Sequence, residues 1–221
     1  MRTLLLKSVD CASDDRVASY RHKVGPSTLG DIVRDGGGAA RSRVFPRGQH
    51  IAHQDDPSDV VVIIESGLAA VVRSDTDGIE STVALHTVGD LCNADDVLVG
   101  RPYGCSLRTL SDVTALRVAR NDIVALHRRS ELFRQSLTLN IAVMLTRAIA
   151  FSGCLAAPSV ELRVERFGKF GAAHLTCLED LRLTQTELAA LLGVSREQLR
   201  IVLSRIRDRG GVVPLSRPGR L

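Results

Sequence analysis

Residues 183–210, LTQTELAALLGVSREQLRIVLSRIRDRG, place two amphipathic segments on either side of Gly193. Each segment opens with a hydroxyl residue that is followed three positions later by Glu or Gln: Thr184 and Glu187, then Ser195 and Gln198. This is the spacing of a capping box, in which the hydroxyl accepts from the third helical N–H and the later side chain reaches back to the cap. The stretch therefore predicts two helices with well-defined starts.

Apolar residues follow both predicted starts at helical spacing. The first set is Leu188, Leu191 and Leu192, and the second is Leu199, Val202, Leu203 and Ile206. Gly193 stands between them, where a helix end favours a residue that tolerates a left-handed backbone. Ala189 offers a small side chain where two crossing helices would approach closely. The pattern predicts a helix-turn-helix whose second helix reads DNA.

The charge distribution agrees with this interpretation. Between Ser195 and Leu221 seven arginines face only two acids, a net charge of +5, whereas the whole chain carries +4. Positive charge concentrated on one element is typical of a surface that binds phosphates. The alternative is a helical hairpin of some other bundle with a solvated arginine face.

Composition limits the other possibilities. A chain of 221 residues makes one large domain or two small ones, and its 44% apolar content suffices for a core. The start MRTLLLK is too short for the core of a signal peptide, and the apolar run Ile141–Phe151 is too short to span a bilayer. We therefore expect a cytoplasmic protein without a membrane partner. The cysteines show no metal-finger spacing and are expected to be reduced thiols, with a single redox-sensing thiol as the alternative: Cys11, Cys92, Cys105, Cys154 and Cys177.

The region before the helix-turn-helix changes character twice. Residues 1–40 are weakly patterned and are expected to have little structure. Residues 41–129 show short β-rich runs with turns at Gly67, Asp77-Gly78 and Gly89-Asp90, which predict a small antiparallel barrel or sandwich.

A long helix is predicted next, over residues 130–157, capped by Ser130 and stopped by Pro158. Apolar residues recur along it at alternating spacings of four and three, as in a coiled-coil seam: Leu137, Ile141, Met144, Ala148, Phe151 and Leu155. Neighbouring positions are apolar as well, so the helix needs two partners. One could be its own barrel, and the other is most simply the same helix of a second subunit. Burial in a larger monomeric core is the alternative.

Three motifs resemble the Crp/Fnr family of bacterial transcription regulators: FPRGQHIAHQDDPSDVVVIIESG (45–67), VGDL (88–91) and LTQTELAALLGVSREQL (183–199). The resemblance covers about residues 43–213. It implies an α+β protein with an N-terminal antiparallel β-roll like that of cyclic-nucleotide-binding domains, a dimerisation helix and a C-terminal winged helix-turn-helix over residues 158–221. The expected partners are double-stranded DNA, a second copy of the chain and RNA polymerase.

The sequence departs from the family pattern where an effector would bind. The family's cyclic-nucleotide binders have a Gly-Glu pair for the ribose and an Arg-Ser or Arg-Ala pair for the phosphate. Asn93-Ala94 and Tyr103-Gly104 stand at those places. Without an arginine fork for the phosphate, we expect no dependence on cyclic AMP and leave the effector site open. Only Cys11 is available for the N-terminal cluster of the iron–sulfur branch, and Pro214 predicts a short wing.

Enzymatic chemistry has weaker support. His50, His53 and Glu65 suggest a cupin-like metal site, but the two histidines have opposite strand parity and are expected to point to different faces. Asp95 and Asp96 are expected in a solvated loop rather than as a general acid and base. We therefore predict neither an enzyme, nor a metal, nor a cofactor.

The prediction from sequence is a homodimeric, sequence-specific regulator that acts on palindromic promoter sites. The first alternative is the same regulator gated by a cyclic nucleotide or another small effector. A helical wheel places Ile201 opposite the core stripe, and by resemblance Arg196 and Glu197 contact guanine and cytosine. The predicted DNA-binding residues are Thr184, Gln185, Ser195, Arg196, Glu197, Gln198, Arg200, Ile201, Ser204 and Arg205.

Overall fold

The computed structural model describes residues 26–36, 39–175 and 183–209. The elements in chain order are α1 (Pro26–Asp35), β1 (Arg41–Phe45), β2 (His50–Ala52), β3 (Val60–Ser66), β4 (Ala69–Ser74), β5 (Glu80–His86), β6 (Leu91–Cys92), α2 (Ala94–Val99), β7 (Ser106–Thr109), β8 (Val113–Ala119), α3 (Arg120–Arg129), α4 (Glu131–Leu155), α5 (Val160–His174), α6 (Gln185–Leu192) and α7 (Arg196–Asp208).

The strands form two four-stranded antiparallel sheets, ordered β1-β8-β3-β6 and β2-β7-β4-β5. Antiparallel pairing confirms the predicted roll. β3 carries four consecutive buried residues, 61–64, because both of its faces are covered. Gly67 joins β3 to β4 with φ of +90°, and a Cβ there would lie 2.2 Å from the carbonyl oxygen of Asp112. The chain can make this turn only with glycine.

Residues 26–35 correct the prediction of a weakly structured N-terminal segment. They form α1, whose Leu29 and Val33 are buried in the core of the roll. Two apolar residues four positions apart make one stripe of a short helix, and the signal is too small to stand out in a sequence.

Two apolar cores follow one another along the molecule. The first is built mainly on the β1-β8-β3-β6 sheet, includes Ala52, Ala69 and Leu107 of the other sheet, and extends to α1, α3 and the start of α4 through Phe133 and Leu137. The second joins the other sheet to the C-terminal helices through Phe151, Phe167 and Phe170, whose rings pack within about 6 Å of one another. α4 crosses both cores and fixes the roll relative to the helix-turn-helix.

Candidate nucleic-acid interface

Both helices of the helix-turn-helix begin at complete capping boxes, as predicted. Thr184 Oγ1 accepts from the Glu187 N–H at 3.2 Å, and Glu187 Oε2 accepts from the Thr184 N–H at 2.7 Å. The Ser195 and Gln198 pair repeats the arrangement at 3.1 and 3.0 Å. Gly193 adopts the left-handed conformation with φ of 61°. These local bonds set the turn between α6 and α7 before any packing is considered.

The apolar face of α7 packs inward and leaves the other face to solvent. Leu199 and Leu203 are completely buried, and Val202 is nearly so. They share a core with Leu188 and Leu192 of α6. α7 is therefore held by one side only, as a helix that enters a DNA groove must be.

Most of the predicted DNA-binding residues reach solvent, two at the start of α6 and the others on and just before α7. All are exposed except Gln185 at the start of α6, which is half-buried. Ile201 keeps 40% of its surface exposed. The set comprises Thr184, Gln185, Ser195, Arg196, Glu197, Gln198, Arg200, Ile201, Ser204 and Arg205.

Glu197 and Arg200 bind each other within this surface. Arg200 Nε donates to Glu197 Oε2 at 2.9 Å, and Arg200 Nη2 donates to Oε1 at 2.6 Å. The donated bonds lower the pKa of Glu197 and raise the pKa of Arg200. A bidentate fork uses the same donor and acceptor atoms that a phosphate or a base edge would need. In the protein without DNA, Glu197 and Arg200 therefore use their hydrogen-bonding groups on each other.

Two arginines outside the motif stabilise the helix-turn-helix, and no sequence pattern predicted either of them. Arg163 on α5 donates to the carbonyl oxygens of Ala157 at 3.1 Å and Leu192 at 3.0 Å, tying the end of α6 to the α4–α5 junction. Arg47 follows β1, and its Nε donates to Glu187 Oε1 at 3.0 Å, with a second bond from Nη2 to Oε2. The helix-turn-helix is thus fastened directly to the roll.

Side chains of α4 bind the turn between β5 and β6. Asn140 Nδ2 donates to the Gly89 carbonyl oxygen at 2.8 Å, and its Oδ1 accepts from the Leu91 N–H at 3.0 Å. Two turns of α4 further on, Arg147 is 3% exposed and forms an ion pair with Asp90. Burial opposes ionisation of Asp90, but the adjacent His86 and the Arg147 guanidinium together hold the pKa of that carboxyl below its ordinary value.

The loop around Tyr103-Gly104, where the family's cyclic-nucleotide binders hold the phosphate, is bound by a carboxylate of the chain itself. Asp96 is 5% exposed, and its two oxygens accept from the Gly104 N–H at 2.8 Å and from Arg101 Nε at 2.6 Å. The bond to Asp96 raises the pKa of Arg101. The sequence prediction for Asp95 and Asp96 was wrong in part: both belong to α2 rather than to a loop, and only Asp95 is exposed.

His50 and His53 lie closer together than predicted. Their rings stack with centroids 4.6 Å apart and planes 27° from parallel, because β2 has a bulge between His50 and Ala52 that breaks the strand alternation. Burial, His53 and Arg108 lower the pKa of His50. Glu65 instead binds Arg34 and Ser42. No group of three or more metal-ligating side chains occurs among the residues that the structure describes.

The predicted seam of α4 is divided between two faces of the helix. Leu137 and Phe151 are buried in the two cores of their own chain, so their assignment to a subunit interface is wrong. Ile141 is 41% exposed, whereas Met144, Ala148 and Leu155 are half-buried. Two apolar residues outside the predicted seam are more exposed than any of its members. They are Leu145 (59% exposed) and Ile149 (65% exposed), which directly follow the seam residues Met144 and Ala148.

Length and composition alone would allow α4 to cross a membrane. It spans 25 residues, and its most apolar window has a mean hydropathy of 1.5 with 22% of that window buried. The expectation rested on Ile141–Phe151 alone, whereas the helix runs from Glu131 to Leu155 and its mean hydropathy stays high over a longer stretch.

Residues 42–130 match the family model of the cyclic nucleotide-binding domain. The cyclic AMP receptor protein of Thermus thermophilus is 28% identical, with 77% of this chain and 78% of that protein aligned. A CRP-like cAMP-activated global transcriptional regulator of Mycobacterium tuberculosis is 27% identical over 76% of this chain and 78% of its own.

Solved structures show the same fold. The c-di-GMP responsive global regulator CLP of Xanthomonas campestris superposes with a TM-score of 0.66 at 19% identity, over 82% of this chain and 92% of that one. FixK2 of Bradyrhizobium japonicum superposes with a TM-score of 0.64 at 19% identity, over 78% and 86%.

The chain resembles regulators of the Crp/Fnr family in sequence and in fold. Its roll, long helix and helix-turn-helix occur in the order of that family, and the relatives it matches in sequence are transcriptional regulators. The resemblance stated from three short motifs is thereby confirmed. The wing predicted around Pro214 lies outside the described residues.

Proposed function

We propose that this protein is a sequence-specific DNA-binding transcriptional regulator of the Crp/Fnr type that acts as a homodimer on palindromic promoter sites. The observation that carries the proposal is α7: it is capped, packed on one side only, and lined on its free side with arginines and polar residues. Such a helix fits the major groove, where its first residues meet base edges.

Within this surface we assign base reading to Arg196 and Glu197. Arg can donate to both O6 and N7 of guanine, and Glu can accept from N4 of cytosine. Binding then opens the Glu197–Arg200 fork and frees Arg200 for a phosphate. Ile201, exposed on the same side, is placed to contact a thymine methyl group. An isoleucine that packs under the phosphate backbone is the alternative.

An exposed apolar stripe on α4 supports the homodimer in this proposal. Ile141, Leu145 and Ile149 lie four residues apart, so they form one exposed apolar stripe along α4. A second copy of α4 would cover this stripe and bring two reader helices to half-sites about 34 Å apart. A membrane would also cover it, but Asn140 and Arg147 on the same helix are bound to the roll, which occupies one side of α4.

We infer that the regulator works without cyclic AMP. The Gly104 N–H and Arg101 are already bound to Asp96, so a phosphate at this loop would stand beside a carboxylate instead of an arginine fork. Arg147 is likewise already ion-paired with Asp90. These residues do not fit a cyclic nucleotide. Another small effector in the roll is the alternative.

By its resemblance to Crp/Fnr regulators, we expect DNA and RNA polymerase as partners, a place in the cytoplasm and no catalytic role. Titration calorimetry with cyclic AMP, followed by operator binding with and without the nucleotide, tests the effector assignment. We expect no heat of binding and an unchanged operator affinity. Micromolar binding with a matching gain in DNA affinity would show that the roll remains a cyclic-AMP sensor.

A further inference from the structure

The ion pair of Arg47 and Glu187 joins the roll to the helix-turn-helix at two points. Arg47 Nε and Nη2 each donate to a different carboxylate oxygen of Glu187, so the pair forms a bidentate fork. The side chains keep 35% and 28% of their surfaces exposed, and such a pair contributes little to the free energy of unfolding. A fork nevertheless fixes geometry, because two parallel bonds permit only one relative orientation.

On the roll, Arg47 stands on a turn that is itself firmly held. The Thr109 hydroxyl, on β7 and 1% exposed, donates to the Pro46 carbonyl oxygen at 2.7 Å and accepts from the Gln49 N–H at 2.9 Å. The Arg47 N–H donates to Asp112 Oδ1 at 2.9 Å, in the turn between β7 and β8. These bonds fix the backbone on both sides of Arg47, so its guanidinium extends from a rigid base.

On the helix-turn-helix, Glu187 is equally constrained. It is the third residue of α6 and closes the capping box by accepting from the Thr184 N–H at 2.7 Å. Burial opposes ionisation, but the bonds from Arg47 and Thr184 together hold the pKa of Glu187 below its ordinary value. The carboxylate is therefore charged at neutral pH, and the fork joins the roll to the first turn of α6 without a flexible element between them.

α6 is consequently held at both ends by arginines from different parts of the chain. Arg47 binds its first turn, and Arg163 of α5 donates to the carbonyl oxygen of its last residue, Leu192, at 3.0 Å. The apolar core that α6 shares with Leu68 and Leu110 of the roll is non-directional. A helix that is anchored at one end can pivot on such a core, whereas a second fixed point sets its direction. α7 follows after a short turn and takes its direction from α6.

The roll is also bound to α4, the helix that we propose joins the two subunits. Asn140 and Arg147 hold the turn between β5 and β6. The position of each reader helix relative to the partner subunit therefore depends on the contacts of α4 with the roll and on the fork between the roll and α6. Two linked DNA-binding units engage together only where the linkage reaches both half-sites, and a stiffer linkage accepts fewer separations.

We propose that Arg47 is a positioning residue: its fork with Glu187 fixes the angle of the helix-turn-helix to the roll and thereby restricts the half-site spacing that the dimer accepts. This inference rests on the proposed function and adds operator spacing to the bases that α7 reads. One base pair added between the half-sites moves one of them by about 3.4 Å and rotates it by about 35° around the duplex. A dimer without the fork can follow this displacement by pivoting α6, and a dimer with the fork cannot.

Binding to three duplexes tests the proposal: the palindrome that the wild-type protein selects, and the same palindrome with one base pair inserted or deleted at its centre. We expect the wild type to bind the altered duplexes about tenfold or more weakly than the parent, because bivalent engagement is lost. Arg47→Gln and Glu187→Gln should each reduce that ratio by about threefold or more, because a looser linkage tolerates the displacement. Glu187→Gln keeps the capping box, since glutamine also serves at its third position.

Arg128→Gln is the matched control, because it removes an exposed arginine of α3 by the same substitution and should keep the wild-type ratio. The inference is overturned if the wild type binds all three spacings alike, if either folded variant keeps the wild-type ratio, or if Arg128→Gln reduces the ratio equally. A phosphate contact or a purely structural role for Arg47 would weaken binding to all three duplexes together and leave the ratio unchanged. Failure of the wild type to select any palindrome would contradict the proposed function itself.

Discussion

Arg147, in the middle of α4, is ion-paired with Asp90 in the turn that joins β5 to β6, and both side chains are almost completely buried. The pair links the long helix to the roll at a point where neither charge reaches solvent. Thr87 donates its N–H to the same carboxylate at 2.8 Å. Removing one partner leaves the other charge buried and unpaired, which is costly.

Arg147→Met should therefore lower the free energy of unfolding by about 3–5 kcal/mol. Urea denaturation measures the change. The double variant Arg147→Met/Asp90→Leu should recover much of the loss, because no charge is then left buried. If Arg147→Met alone matches the wild type in stability, the pair does not hold α4 to the roll.

Asp90 also makes stability depend on pH in the acid range. Its pKa is lower in the folded protein than the ordinary value of 3.8. Its contribution is therefore complete above that value and is lost as the pH falls through the folded pKa. We expect the wild type to lose stability more steeply than Asp90→Asn below about pH 4. If the free energy of unfolding falls with pH equally steeply in the wild type and in Asp90→Asn, Asp90 is not the group responsible.

Asp96 should hold the loop that follows α2. Asp96→Ala leaves the Gly104 N–H and Arg101 without their acceptor, so we expect a loss of about 1–3 kcal/mol. Asp95→Ala is the matched control, because its exposed carboxylate should contribute less than about 0.5 kcal/mol. Urea denaturation measures the free energy of unfolding of both variants. Equal losses in the two variants would exclude a specific role for Asp96.

The exposed stripe of α4 should control assembly. Leu145→Glu places like charges across the proposed interface and should give monomers that bind DNA weakly. Gln135→Glu, at an exposed position of the same helix, changes charge without touching the stripe and should remain dimeric. Light scattering measures both masses. A Leu145→Glu protein of unchanged mass and normal operator affinity would rule out this interface.

Base reading is tested at three positions of α7. Arg196→Ala should lose about 1–3 kcal/mol and relax the preference at one guanine. Arg200→Ala should weaken binding to all sequences alike, since a phosphate contact carries no sequence information. Ile201→Arg should shift one base pair from T·A towards G·C. An unchanged preferred sequence for Ile201→Arg would show that Ile201 reads no base.

Local patterns in the sequence predicted the helix-turn-helix well. Capping boxes, a left-handed glycine and an apolar stripe all act within a few residues, so Thr184, Gly193 and Ser195 could be placed without knowing the rest of the fold. The turns and strands of the roll were predicted for the same reason.

Contacts between distant segments could not be predicted this way. Arg147 lies within an apolar helix, and its partner Asp90 is 57 residues away. Arg47 and Glu187 are 140 residues apart. The division of the α4 seam depends on which face the roll covers, and an apolar run on several sides does not reveal that. His50 and His53 were misplaced because a bulge cancels strand alternation.

The central claim is that a dimer of this chain reads a palindrome through α7. Selection of bound sites from randomised duplex DNA, with the wild-type protein, tests it most directly. We predict enrichment of a palindrome with half-site centres one helical turn, about 10 base pairs, apart. Recovery of sequences without two-fold symmetry, or no enrichment at all, would contradict the account.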